Sequence, residues 1–284
     1  MLRTLSLIAA LGLAAPVAAQ DLRFAVTDVE GAEALQQEFG AFETALEEVT
    51  GLDIELFPIS NRTAAVEAMR AGQVDLVLTG PAEYVVMNEL AEIEIVTAWQ
   101  RPDYFSVIAV LADGPIRSTD DLRGEIITFG AVGSTSQHLG PAQALADLGL
   151  NYAADYQPQI INRNVATEAL IRGDVAAVGM NHGHLGRIRD AFPETAFTVV
   201  ARGRDLPNDI LVARADLDDA LFETVRDAFL EYGPALMAGV LEGEDNQKYA
   251  GGFFLNEVRD ADYEYVRDMY RTIGVESFDA FVGD

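Results

Sequence analysis

Between Leu22 and Ala213 the chain alternates short β-like runs with segments of helical period, and that alternation admits few folds. Residues 22–27 read as a strand ending at Asp28, after which Leu35, Phe39, Phe42, Leu46 and Val49 recur at the spacing of one helix face. The order then repeats: a strand at 54–57, a helix at 62–71 closed by Gly72, a strand at 74–78, and a helix opened by Gly80, Pro81 and Ala82 that runs to Leu90. Strands follow at 93–99 and 105–111 before Asp113, Gly114 and Pro115 interrupt the pattern. A helix that returns after each strand must pack on the sheet, so the grammar predicts an α/β fold with mostly parallel sheets and helices on both faces.

The grammar resumes beyond the interruption. Strands are predicted at 126–129, 159–162, 175–180, 197–200 and 210–213, with helices between them, and helices dominate after residue 216. No repeat or low-complexity linker separates the parts. The predicted division places residues 20–112 and 214–284 in one lobe and 113–213 in a second lobe inserted into it. Two crossings of this kind make a natural hinge, with room for a ligand between the lobes.

The first residues set the compartment. Arg3, an apolar run from Leu5 to Ala15 and the small residues Val17, Ala18 and Ala19 have the order of a secretory signal peptide, with cleavage expected after Ala19. No later stretch is long and apolar enough for a membrane-spanning helix. Cysteine is absent, which removes disulfides, thiol nucleophiles and thiolate metal sites. The formal charge is -27, and Lys248 is the single lysine. So acidic a chain is a poor partner for nucleic acid or an anionic membrane. To bind an anion it would have to concentrate a few arginines, hydroxyls and backbone N–H groups at one place.

One segment has that composition. Gly133, Ser134, Thr135 and Ser136 lie between a predicted strand and a predicted helix, where three hydroxyls and the N–H groups of a helix start converge. The same residues also make an ordinary helix cap. Gly80 and Pro81 form a second, weaker candidate of the same kind. The three histidines are His138, His182 and His184. An H-x-H pair binds metal only with a third ligand, and the preferred expectation is that His182 lines the cleft as a donor while His184 caps or opens a helix, with no metal. No hydrolase triad motif, phosphate-binding P-loop or dinucleotide fingerprint is present.

The chain resembles the periplasmic phosphate/phosphite/phosphonate-binding proteins of ABC importers, over nearly all of the sequence after the signal. The likeness is carried in order by the opening strand, by Met69, Gly72, Val74 and Asp75, by Gly80, Pro81, Ala82 and Tyr84, by Tyr104, Ser106 and Val107, by Ser134, Thr135, Ser136 and Pro141, and by Pro207, Asn208 and Asp209. The resemblance implies a type II periplasmic-binding-protein fold of two lobes with the ligand in the cleft between them. It implies that Ser134, Thr135 and Ser136 grip a small oxyanion, that Tyr104 lines the site, and that Asp209 matches a carboxylate that meets a ligand amine in some members. The chain departs from the family at two positions, where Arg62 falls on an expected tyrosine and Arg163 on an expected histidine. The stretch Asn181, His182, Gly183, His184 lacks an acidic residue that helps some relatives hold an amine.

The expectation is therefore an exported, monomeric, non-enzymatic binding protein without a cofactor, which captures a phosphonate, phosphite or phosphate-like oxyanion for a membrane permease. A sensor that hands its closed form to a membrane histidine kinase is the alternative. A metal-dependent periplasmic enzyme built on the three histidines is less favoured.

Overall fold

The computed structural model describes residues 21–27, 29 and 31–283. The expected signal peptide and its cleavage site lie outside the described residues, as does Asp28.

Two sheets carry the fold. The first has the order β11-β4-β10-β3-β1-β2, built from β1 (Asp21–Val26), β2 (Asp53–Leu56), β3 (Leu76–Thr79), β4 (Ile93–Trp99), β10 (Asp209–Arg214) and β11 (Phe254–Leu255). The second has the order β7-β6-β8-β5-β9, from β5 (Phe105–Leu111), β6 (Ile126–Phe129), β7 (Gln157–Ile160), β8 (Ala177–Asn181) and β9 (Phe197–Asp205). Helices α1 (Ala32–Thr50), α2 (Arg62–Arg70) and α3 (Pro81–Leu90) belong to the first unit, the terminal lobe. Helices α4 (Gly140–Ala146), α5 (Arg163–Arg172) and α6 (His182–Ala191) belong to the second, the inserted lobe. Helices α7 (Asp219–Glu231), α8 (Gly233–Val240) and α9 (Glu264–Thr272) return to the terminal lobe.

Helix α1 shows why the sequence pattern works. Leu35, Phe39, Phe42 and Leu46 are all buried on its inner face, packed with Phe24, Trp99, Phe229 and Phe254. Burying such aromatic and aliphatic side chains stabilises a fold by about 1.5–3 kcal/mol each. A second apolar layer covers the opposite face of the same sheet and continues through Tyr104, Leu139 and Leu206 toward the inserted lobe, with Tyr263, Tyr270 and Phe281 from the C-terminal segment. The inserted sheet is likewise covered on both faces.

Two expectations change. The lobe boundaries at 112 and 213 are displaced, because β5 pairs with β8 and β9 in the inserted sheet and β10 pairs with β3 and β4 in the terminal sheet. The crossings are therefore residues 100–104 and 206–208, and the Asp113-Gly114-Pro115 interruption is a turn within the inserted lobe. A strand pattern records that a residue is buried in a sheet, not which sheet, so punctuation was a poor guide to the hinge. The sheets are also mixed. Parallel pairing is confined to β2-β1-β3 and β7-β6-β8, while β5, β10 and their neighbours run antiparallel. A strand entered straight from a crossing, without a crossover helix, has no need to run parallel to its neighbour.

Candidate functional site

The carboxyl ends of β1, β2 and β3 face those of β6, β7 and β8 across a cleft of about 810 Å3, the place where open α/β sheets expose helix starts and loops. Of the predicted site residues, Ser134, Thr135, Ser136, Tyr104, Arg62, Arg163 and Asp209 all line it.

The hydroxyl triplet opens a π-helical turn, Thr135–Leu139, rather than the ordinary α-helix expected. Ser134 is extended and its N–H closes a tight turn on the Ala131 carbonyl at 3.1 Å. The Gly140 N–H reaches back five residues to the Thr135 carbonyl. The wider turn is possible because position 140 is glycine: a Cβ there would lie 2.8 Å from the Thr135 carbonyl oxygen. The first N–H groups of such a turn have no acceptor within it, and π-helical turns recur at functional sites for that reason. Thr135 Oγ1 accepts a hydrogen bond from the Ala82 N–H at 2.9 Å, across the cleft. That leaves its own proton to donate. His138 holds the turn from behind: its Nδ1 accepts from the Gly133 N–H at 3.0 Å, which places its proton on Nε2, 2.9 Å from the Tyr152 hydroxyl. Burial pushes this imidazole down to about 4, so it stays neutral at ordinary pH.

Tyr104 is buried beside the turn, and burial pushes its phenol up to about 12 against the opposing pull of Arg101. It is a neutral donor at any physiological pH. The Arg101 guanidinium lies 3.7 Å over its ring.

Asp209 does not present a bare carboxylate. Arg101 Nη1 lies 3.3 and 3.4 Å from its two oxygens, and the Tyr249 hydroxyl donates to Oδ2 at 2.6 Å. Arg62 is also engaged: Nη1 pairs with Glu83 at 3.3 Å and Nη2 donates to the Val132 carbonyl of the inserted lobe at 2.9 Å. Gly133, at φ +73°, lets that loop come close, since a Cβ would sit 3.1 Å from Arg62 Nη1. The helix start at Gly80 and Pro81, the second anion candidate, is filled from within by the Thr135 hydroxyl and by the Glu83 carboxylate in its first turn.

His182 does not line the cleft. It is exposed, with its ring stacked on Phe105 at 4.7 Å. Asn181 rather than a histidine caps α6, accepting from the His184 N–H at 2.7 Å. His184 is buried, and burial first, with the Arg163 and Arg187 charges second, pushes its ring down to about 4. Among the described residues no group of three or more His, Asp or Glu is placed to hold a metal ion.

Seven charged cleft residues were missed from sequence: Glu83, Arg101, Asp103, Arg187, Glu244, Asp245 and Lys248. Arg101 had a signal, a charged residue in the short passage between two buried strands and directly before Pro102. The others look like ordinary surface charges until the fold brings them together.

Residues 24–264 match the family model described as ABC transporter, phosphonate, periplasmic substrate-binding protein. The phosphonates-binding periplasmic protein of Escherichia coli is 25% identical over 224 residues, which is 75% of this chain and 66% of that protein. Among solved structures, a binding protein component of an ABC phosphonate transporter from Pseudomonas aeruginosa superposes with a TM-score of 0.64 at 20% identity, over 88% of this chain and 85% of that one. A Prochlorococcus marinus protein in complex with methylphosphonate gives 0.67 at 15% identity, over 89% and 98%. These structural matches are matches of the two-lobed fold. With its family model covering most of the sequence, the chain belongs to the periplasmic substrate-binding proteins of phosphonate ABC transporters.

Proposed function

We propose that the protein captures a small tetrahedral oxyanion, a phosphonate or a phosphite- or phosphate-like ion, at the turn from Ser134 to Ser136, and delivers it as a monomer to the membrane permease of an ABC importer from the periplasm. The observation that carries the reading is the π-helical turn at the end of β6. It combines N–H groups without intrahelical partners and three hydroxyls in an inserted wall without a carboxylate among the described residues, beside the neutral Tyr104 phenol of the crossing segment. Donors fixed before binding cost little reorganisation, and hydrogen bonds to a charged ligand contribute about 1.5–3 kcal/mol each.

Both lobes contribute. Tyr104 stands at a crossing, the turn belongs to the inserted lobe, and the Ala82 to Thr135 bond joins the lobes directly. A ligand held from both sides favours the closed arrangement to the extent that it binds that arrangement better. Arg62 acts on closure through Glu83 and Val132, while Arg163 lends positive charge to the ligand wall. Asp209, committed to Arg101 and Tyr249, shapes the floor rather than meeting an amine.

Calorimetry on the mature protein with methylphosphonate, phosphite, phosphate, aminoethylphosphonate, arsenate and sulfate tests the proposal. Binding of a phosphorus oxyanion is the expected result, and binding of none of the six overturns it.

A further inference from the structure

The charges that line the cleft are distributed unequally. Its five carboxylates among the described residues, Glu83, Asp103, Asp209, Glu244 and Asp245, all belong to the terminal lobe or its crossing segment. The inserted wall has none, and it carries Arg163 at the start of α5 and Arg187 within α6. Neither arginine forms an ion pair among the described residues, in a protein where arginines are otherwise mostly bound to acids. Both line the cleft, and the charges of both act on the same buried imidazole of His184. Each comes from an element other than the turn that supplies hydroxyls and N–H groups.

Two more facts narrow the ligand. The carboxylates buried in the cleft are both neutralised, Asp209 by Arg101 and Tyr249 and Glu83 by Arg62, so a ligand amine would find the buried acids already occupied, and the other three, Asp103, Glu244 and Asp245, are exposed to solvent. A cleft of about 810 Å3 also exceeds what a single five-atom oxyanion fills, which leaves space for a tail.

We propose that Arg163 and Arg187 form a second anion subsite, so that the cleft selects phosphoryl ligands bearing another acidic group on the tail over those bearing an amine. This rests on the reading that the Ser134 to Ser136 turn holds the phosphoryl group. Guanidinium is suited to the role because its planar fork pairs with carboxylate or phosphoryl edges and stays charged at every relevant pH.

The test is calorimetry with three ligands of similar length: ethylphosphonate, phosphonoacetate and 2-aminoethylphosphonate. Phosphonoacetate is expected to bind at least about 10-fold more tightly than ethylphosphonate, the gain from one charge-assisted contact, and 2-aminoethylphosphonate more weakly than either. The phosphonoacetate-to-ethylphosphonate ratio should fall toward one in Arg187→Gln, and the order of acid and amine should reverse in Arg187→Glu. Arg187 is exposed, so these variants are expected to fold, and circular dichroism checks it. Arg163→Gln provides an independent variant. In the unaltered protein, added salt should weaken phosphonoacetate binding more steeply than ethylphosphonate binding. A ratio near one in the unaltered protein, or a high ratio unmoved by both glutamine variants, overturns the second subsite while leaving the phosphoryl site intact. Failure of all three ligands to bind overturns this proposal, and failure of phosphite and phosphate as well removes the phosphoryl site with it.

Discussion

The two walls of the cleft solve the problem of charge in opposite ways. On the terminal wall each arginine is matched within the protein: Arg62 with Glu83 at 3.3 Å and Arg101 with Asp209 at 3.3 Å. The inserted wall has arginines without acids, N–H groups without intrahelical acceptors and hydroxyls with protons to donate. On the first wall the arginine charges are satisfied without a ligand. The second is built with an excess of donors, which an anion can satisfy. Stability is therefore concentrated on one side and recognition on the other, and a protein with a net charge of -27 needs the second wall to hold its carboxylates at a distance.

Breaking the matched side should have the largest effect on folding. Asp209→Ala removes an acceptor shared by the Arg101 guanidinium, with its side chain only 15% exposed, and the Tyr249 hydroxyl. A loss of about 3 kcal/mol in urea unfolding is expected, the lower end for removing one partner of a buried pair. If Asp209 were a free amine acceptor instead, stability would hardly change.

Acid should act on the inserted lobe, because all three histidines lie there and the terminal lobe has none. The native state resists protonating His138, whose folded value of about 4 lies below the ordinary 6.5. The unfolded chain binds that proton first. Stability is therefore full above about pH 6.5, declines as pH falls toward about 4 and levels off below, by roughly 3 kcal/mol for His138 alone. Urea titrations at pH 7 and pH 5 on the unaltered protein and on His138→Gln measure the difference. A decline of equal slope in both would remove His138 as its source.

Recognition is expected to fail before stability when the donors are removed. Ser134→Ala combined with Thr135→Ala should weaken binding of a phosphorus oxyanion 10-fold or more by calorimetry. The threonine change should also cost about 1 kcal/mol of stability, because the Ala82 N–H loses its acceptor. Unchanged affinity would move the site away from this wall. The smallest effect belongs to Arg62→Gln. Its side chain is 24% exposed and its pair with Glu83 is partly solvated, so the loss in thermal unfolding should stay under about 1 kcal/mol. Affinity should fall less than in the double variant, and a larger fall would mean that Arg62 touches the ligand after all.

Much of this was legible in the chain. Helix α1 was marked by Leu35, Phe39, Phe42 and Leu46 because a helix against a sheet must repeat its apolar residues every three or four positions. The turn at Ser134 to Ser136 was marked because three hydroxyls after a strand and before a helix form a local pattern. The hinge was not, since β5 and β10 are as apolar as any buried strand and their choice of sheet depends on partners far away in sequence. His182 was misplaced for a related reason: one residue past the end of a strand, a small rotation decides whether a side chain faces the cleft or stacks on Phe105.

The sequence alone thus determined the α/β alternation, the absence of thiol chemistry and the donor-rich turn, all of which follow from residue type and short-range spacing. Only the tertiary structure decided where the chain crosses between lobes, that Asp209 and Arg62 are already paired, and that Arg163 and Arg187 form no ion pair among the described residues. Pairing depends on which side chains the folded sheets bring within a few ångströms, and Arg101 stands 108 residues from Asp209 along the chain.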